Sequence, residues 1–201
     1  MNNLFQMPAY RINEYRVVVP LPEVLQEKMH HLRVCMHEKH GVKLPFDLKP
    51  SLTILNCHAF ERIEPKLVER LQEVAMSHNP FKVEIKDFSA YPSHTIYADV
   101  LTRSPFNELV KNLRKAKWLM NIPQHEPYFI TEPHLILAQR LKPKEFTRMW
   151  LDCEHRQFTG RFVADAMLLL KRSPINKRWT VLRRMEFMSL PMFVKQGELF
   201  A

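Results

Sequence analysis

The segment KPSLTIL, beginning at Lys49, returns in the second half of the chain as EPHLILA, beginning at Glu132. Each copy enters through a proline and runs on through leucine and further aliphatic residues. Proline biases the residue before it towards extended backbone, and the short apolar run that follows suits a buried strand. The neighbourhood of each copy repeats as well. After PSLTILNC comes a helix pattern, EPKLVERLQEVAMSHN, and then a hairpin built from FKVEIKDFSAYP and HTIYADVLT. After PHLILAQRL comes KPKEFTRMWLDCEHRQ, and then a hairpin of GRFVADAMLLLKRS and KRWTVLRRMEFMSL turned at SPIN. EYRVVVPLP supplies a first strand, EVLQEKMHHLRVCMHEKHG a first helix closed by Gly41, and FNELVKNLRKAKWLM a basic helix between the halves. The order predicts an α+β fold made by duplication. Two antiparallel sheets face a central cleft, helices lie outside, and each repeated strand is expected centrally in its own sheet. Residues 1–201 read as a single domain of two pseudo-symmetric lobes, with 191–201 as a loose C-terminal tail.

Composition narrows the chemistry. Only three glycines occur in 201 residues, and no GxGxxG or Walker segment is present, so glycine loops that cradle phosphates are excluded. The net charge of +9 favours an anionic partner through long-range attraction. Cys35, Cys57 and Cys153 are widely spaced with no CxxC, which fits reduced thiols and a cytoplasmic setting better than a disulfide frame. No signal peptide and no membrane-spanning run are expected: VADAMLLL is interrupted by Asp165 and is too short. His30, His31, His37 and His40 give no i, i+4 histidine pair on one helix face, so no metal and no cofactor are expected. A monomer is expected.

Side chains alternate along a strand. Simple alternation puts Ser51, Thr53 and Leu55 on one face, and His134, Ile136 and Ala138 on the matching face of the second copy. A duplicated strand of the form Pro-His-x-Thr/Ser-hydrophobic, in a chain of this length and element order, resembles the two-histidine phosphoesterase superfamily, which includes the 2'-5' RNA ligase family and cyclic phosphodiesterases. The resemblance implies two histidines facing one phosphodiester, as general base and general acid, and two hydroxyl residues that bond its oxygens. Carried onto this chain, the match is half complete. His134 stands at the second histidine and Thr53 at the first hydroxyl, and these are the candidate catalytic residues. Ser51 replaces the first histidine, and Ile136 replaces the second hydroxyl. Serine does not titrate near neutral pH, so one proton-transfer role, worth roughly 10²–10⁴-fold in rate, is empty. His58, His94 and His125 are the histidines that could stand in. Alternation alone puts His58 on the opposite face from Ser51.

The final hairpin concentrates cations: Lys171, Arg172, Lys177 and Arg178, with Trp179 beside them. Such a ribbon suits phosphates and a stacked base, and equally suits a charged sheet edge. The expected function is therefore that of a 2'-5' RNA ligase or cyclic phosphodiesterase relative, hydrolase or ligase by descent. It would act on, or bind, an RNA or nucleotide phosphodiester with impaired catalysis. The alternative is a non-catalytic nucleotide- or RNA-binding protein on the same fold.

Overall fold

The structure, a computed structural model, describes residues 10–42, 44 and 49–190. The expected tail at 191–201 lies outside the described residues. In chain order the elements are β1 (Ile12–Pro20), α1 (Glu23–His40), β2 (Ser51–Phe60), α2 (Glu64–Met76), β3 (Phe81–Tyr91) and β4 (Thr95–Val100). They continue with α3 (Ser104–Leu113), extended by a 3-10 helix over Arg114–Met120, then β5 (Tyr128–Phe129) and β6 (Leu135–Gln139). The last are α4 (Pro143–Cys153), β7 (Thr159–Ala164), β8 (Ala166–Arg172) and β9 (Thr180–Glu186). The prolines sit where helix geometry tolerates them: α2, α3 and α4 each carry one in the first turn, where the missing N–H costs nothing. Gly41 closes α1 in the left-handed region at φ 65°, with its N–H bonded to the His37 carbonyl.

The strands form two sheets in which every pairing is antiparallel, ordered β5-β2-β1-β8-β9 and β6-β4-β3-β7. Each sheet draws on both halves of the chain. In the first sheet β1 and β2 of the first half join β5, β8 and β9 of the second, and in the second sheet β3 and β4 of the first half join β6 and β7 of the second. The two halves therefore do not each build one sheet: β3 and β4 follow β2 in the chain but lie in the second sheet, and after β7 the chain returns to the first sheet as β8 and β9. Helices α2 and α3 cover the first sheet; α1 and α4 cover the second. Their apolar stripes (Leu67, Leu71 and Val74 on α2; Phe106, Leu109 and Leu113 on α3) are fully buried in one core that runs through both sheets. The helices lie outside, and the polar faces of the sheets are left towards the cleft.

Two expectations are corrected here. Strand β6 is an edge strand, not a central one; of the two repeated strands only β2 has neighbours on both sides. The stretch Gly160–Ser173, expected as one strand, is two. The chain breaks at Asp165, leaving β7 in the second sheet and starting β8 in the first. Asp165 accepts from Arg184 through its side chain and from the Phe187 N–H through its carbonyl, which fixes the crossing point.

Candidate active cleft

Strand pairing decides which side chains of β2 and β6 look into the cleft. Along β2, Thr53 pairs with Val18 but Leu55 pairs with Val17, so Ile54 is an extra residue with no partner of its own. Along β6, Ile136 pairs with Tyr97 but Ala138 pairs with Ile96, and Leu137 is the extra residue. Both are β-bulges, and both fall at the same position of the repeated segment. A bulge inverts the alternation beyond it. Leu55 therefore leaves the face of Ser51 and Thr53 and is fully buried; Ala138 likewise leaves the face of Ile136. The same inversion brings His58 onto the face of Thr53, correcting the expectation from simple alternation.

On the first sheet the cleft face carries Ser51, Thr53, Asn56 and His58 from β2, and Glu14 and Arg16 from β1. Arg16 Nε donates to Asn56 Oδ1 at 2.8 Å. Arg172 on β8 pairs with Glu14, two strands away from His58. The guanidiniums of Arg16 and Arg172 lie 4.5 and 4.7 Å from the centre of the Trp179 ring. His125, from the loop before β5, packs against His58 with ring centres 4.3 Å apart and the planes tilted by 34°. Burial pushes the His58 pKa below its ordinary value, and the neighbouring His125 adds to this. Glu14, His58 and Arg172 line a cavity of about 370 Å³ together with Ser173 and Lys177.

On the second sheet His134 sits just before β6, against Tyr97 at 4.6 Å and Tyr91 at 5.4 Å between ring centres. Its Nδ1–H donates to the Glu132 carbonyl at 3.2 Å, so in the neutral ring Nε2 carries the lone pair. Burial pushes its pKa down, so the neutral ring dominates at pH 7. A neutral imidazole whose Nε2 carries the lone pair can take a proton. Glu132 also borders a cavity of about 450 Å³ together with Arg103, Lys111 and Arg114. His94 is in the β3–β4 turn, its Nδ1 2.8 Å from Thr95 Oγ1 and its ring 6.3 Å from Tyr91. It belongs to the aromatic group around His134, whereas His58 and His125 belong to the first sheet.

Three members of the basic ribbon lie on or near the cleft face of the first sheet, Arg172 and Trp179 as described and Lys177 at the cavity, while Arg178 is exposed in the turn that carries Lys177. Lys171 does not join them. It pairs with Tyr15 on the opposite face and ion-pairs with Glu64 at 2.6 Å and Glu61 at 3.4 Å. Glu14, Arg16 and Asn56 were not singled out from sequence, although Glu14 and Arg16 alternate with buried residues of β1 and could have been. Among the described residues, no group of three or more His, Cys, Asp or Glu side chains is placed to hold a metal ion. No described helix is long and apolar enough to cross a membrane.

Comparison with known proteins agrees with this architecture. A family model described as the 2'-5' RNA ligase superfamily matches residues 21–175. A protein of Halalkalibacterium halodurans, named provisionally as the phosphoesterase BH1439, is 26% identical over 170 residues, covering 83% of this chain and 93% of its own. The crystal structure of TT0787 from Thermus thermophilus aligns with a TM-score of 0.60 at 17% identity, over 87% of this chain and 98% of that one. E. coli LigT in complex with 3'-AMP aligns at 0.58 and 13% identity, over 88% and 98% of the two chains. At such identities the structural likeness speaks for the fold.

Proposed function

Because the chain belongs to the 2'-5' RNA ligase superfamily, we propose that its cleft holds a phosphodiester of RNA or of a nucleotide, with the two-histidine chemistry reduced to one histidine. The observation that carries this reading is the pair of equivalent bulged strands, one presenting Thr53 and the other His134. Thr53 would donate its hydroxyl to a phosphate oxygen. His134, held through Nδ1 by the Glu132 carbonyl, would accept a proton at Nε2 from the attacking water or hydroxyl. Protonation of the departing oxygen then falls to solvent, since Ser51 cannot supply it, and turnover drops by roughly 10²–10⁴-fold against a complete pair. Ile136 withholds one further donor. LigT is described in complex with 3'-AMP and with ATP, which makes 3'-AMP a suitable first ligand to try here.

His58 does not restore the missing pair. With the bulge discounted it lies six strand positions beyond Ser51, about 20 Å along β2, too far to reach the same phosphate. The second reading, a binder without turnover, shares the cleft and loses only the proton transfer. Hydrolysis of a 2',3'-cyclic nucleotide by the wild-type protein and by His134→Ala separates the two. Slow turnover abolished by His134→Ala supports residual catalysis. Ligand binding with no turnover in either protein supports the binder. Turnover that survives His134→Ala contradicts the catalytic reading.

A further inference from the structure

Because both motif strands bulge at the same place, their neighbours can be compared position by position. In the first sheet Thr53, which carries a hydroxyl, lies directly opposite Val18 on β1. In the second sheet Ile136, which carries none, lies directly opposite Tyr97 on β4. Residues opposite one another on an antiparallel pair project from the same face with Cβ atoms about 5 Å apart. Each pair therefore holds one hydroxyl and one aliphatic side chain, and in the second sheet the hydroxyl stands on the neighbouring strand. Tyr97 packs on His134 with ring centres 4.6 Å apart, and the Tyr91 ring lies 4.9 Å from Tyr97 and 5.4 Å from His134. The three rings form one packed group, so the phenol is held beside the imidazole that remains. Burial, and after it the neighbouring Tyr97, pushes the Tyr91 pKa above its ordinary value, so the Tyr91 hydroxyl keeps its proton. Asp99, two residues further along the same face of β4, is ion-paired with Arg103 at 3.0 Å, which offsets its charge.

We infer that the Tyr97 hydroxyl supplies the phosphate donor that Ile136 lacks, so that a bound phosphate meets Thr53 from the first sheet and Tyr97, beside His134, from the second. The inference rests on the phosphodiester reading of the cleft and deepens it by assigning a further side chain to the phosphate. A phenol extends further from its strand than threonine does, which lets Tyr97 serve a phosphate in front of Ile136 from one strand away. Its hydrogen bond would be made to a charged oxygen, the stronger class of such bonds. That bond moves no proton, so the role of the missing first-strand histidine stays empty and the impaired turnover is unchanged.

Calorimetry with 3'-AMP and with inorganic phosphate tests this on the wild-type protein and on variants that keep the shape of the site. Tyr97→Phe, which removes only the oxygen, should weaken both ligands by the same factor, roughly ten- to a hundredfold. In the Tyr97→Phe background Ile136→Thr should recover most of that loss, a larger gain than it brings to the wild-type protein, because the two hydroxyls serve one phosphate. Ile136→Val, which lacks the oxygen, should recover nothing. If Tyr97→Phe binds both ligands as the wild type does while His134→Ala weakens them, the tyrosine is overturned and the cleft reading stands. A loss confined to 3'-AMP would also overturn the inference, since the ring would then face the base and not the phosphate. Equal recovery by Ile136→Thr and Ile136→Val would reduce Tyr97 to packing. Wild-type protein that binds neither ligand at millimolar concentration would overturn the cleft reading and the inference together.

Discussion

The two motif strands share a backbone and differ in their side chains and surroundings. β2 and β6 both carry a bulge at the fourth residue of the repeated Ser/His-Leu-x-aliphatic segment, Ile54 in one and Leu137 in the other. One histidine position holds serine, and in the other strand the hydroxyl position holds isoleucine. β2 lies inside a five-stranded sheet; β6 lies at the edge of a four-stranded one. The difference teaches that the geometry for gripping a phosphate and the groups for moving its protons are separable. A bulge is a property of the main chain and its pairing, held by every hydrogen bond of the ladder. A general acid is one side chain, and its replacement by serine leaves the ladder untouched.

If that separation is right, making the first strand resemble the second should restore most of what is missing. Ser51→His should raise 2',3'-cyclic nucleotide turnover by roughly 10²–10⁴-fold, measured at saturating substrate, since it supplies the proton carrier that the proposed reading lacks. An unchanged rate would mean that the two strands no longer address one phosphate.

The next largest effect tests the histidine that remains. His134→Ala should weaken 3'-AMP binding by roughly ten- to a hundredfold, the range for losing a hydrogen bond to a charged group. The pH dependence has a definite sign. Burial holds the free His134 pKa below its ordinary value, and a bound phosphate favours the protonated ring. The ligand-bound pKa therefore exceeds the free one, binding takes up a proton between the two, and affinity rises as pH falls through that window. Calorimetry in buffers of different ionisation enthalpy would detect that proton, and its absence from His134→Ala would assign it.

The two faces of the first sheet offer a contrast of their own. Arg172 points to the cleft, and Lys171, one residue earlier, lies between Glu61 and Glu64 on the helix side, where Tyr15 also bonds Glu64. Lys171→Ala should lower stability by about 2 kcal/mol in chemical denaturation, because it strips half-buried carboxylates of their partner, and should leave ligand affinity unchanged. The smallest effect is expected from Ile136→Thr, which returns a donor and no proton carrier. Alone it should strengthen 3'-AMP binding by about 1 kcal/mol. Combined with Ser51→His it should exceed the sum of the two in turnover, because both groups act on one phosphate.

The strands, the four helices and the repeat were legible because each rests on local pattern. PSLTIL and PHLILA show their extended character without help, and Leu67, Leu71 and Val74 show their helix face. What was not legible depends on partners far along the chain. Nothing in SLTIL marks Ile54 as unpaired; that follows only from how Val17 and Val18 meet β2, and with it goes the placement of Leu55 and His58. Asp165 reads as one polar residue in an apolar run, yet it is where the chain passes from one sheet to the other. The two-residue strand β5 is too short to leave a periodic signal, although it sets Tyr128 beside Asn56. His134 and Thr53 could be named early because the repeat compares them directly. Arg16, Glu14 and His125 belong to no repeat, and only the folded sheet brings them together.

The central claim is that the cleft holds a phosphate against His134. The most direct measurement follows the His134 imidazole resonance by NMR across a pH titration, with and without 3'-AMP, assigned by its loss in His134→Ala. The account predicts an apparent pKa below the ordinary histidine value in the free protein, moving upward when ligand is present. A resonance that titrates identically with and without ligand, under conditions where calorimetry shows 3'-AMP bound, would place the phosphate elsewhere and contradict the account.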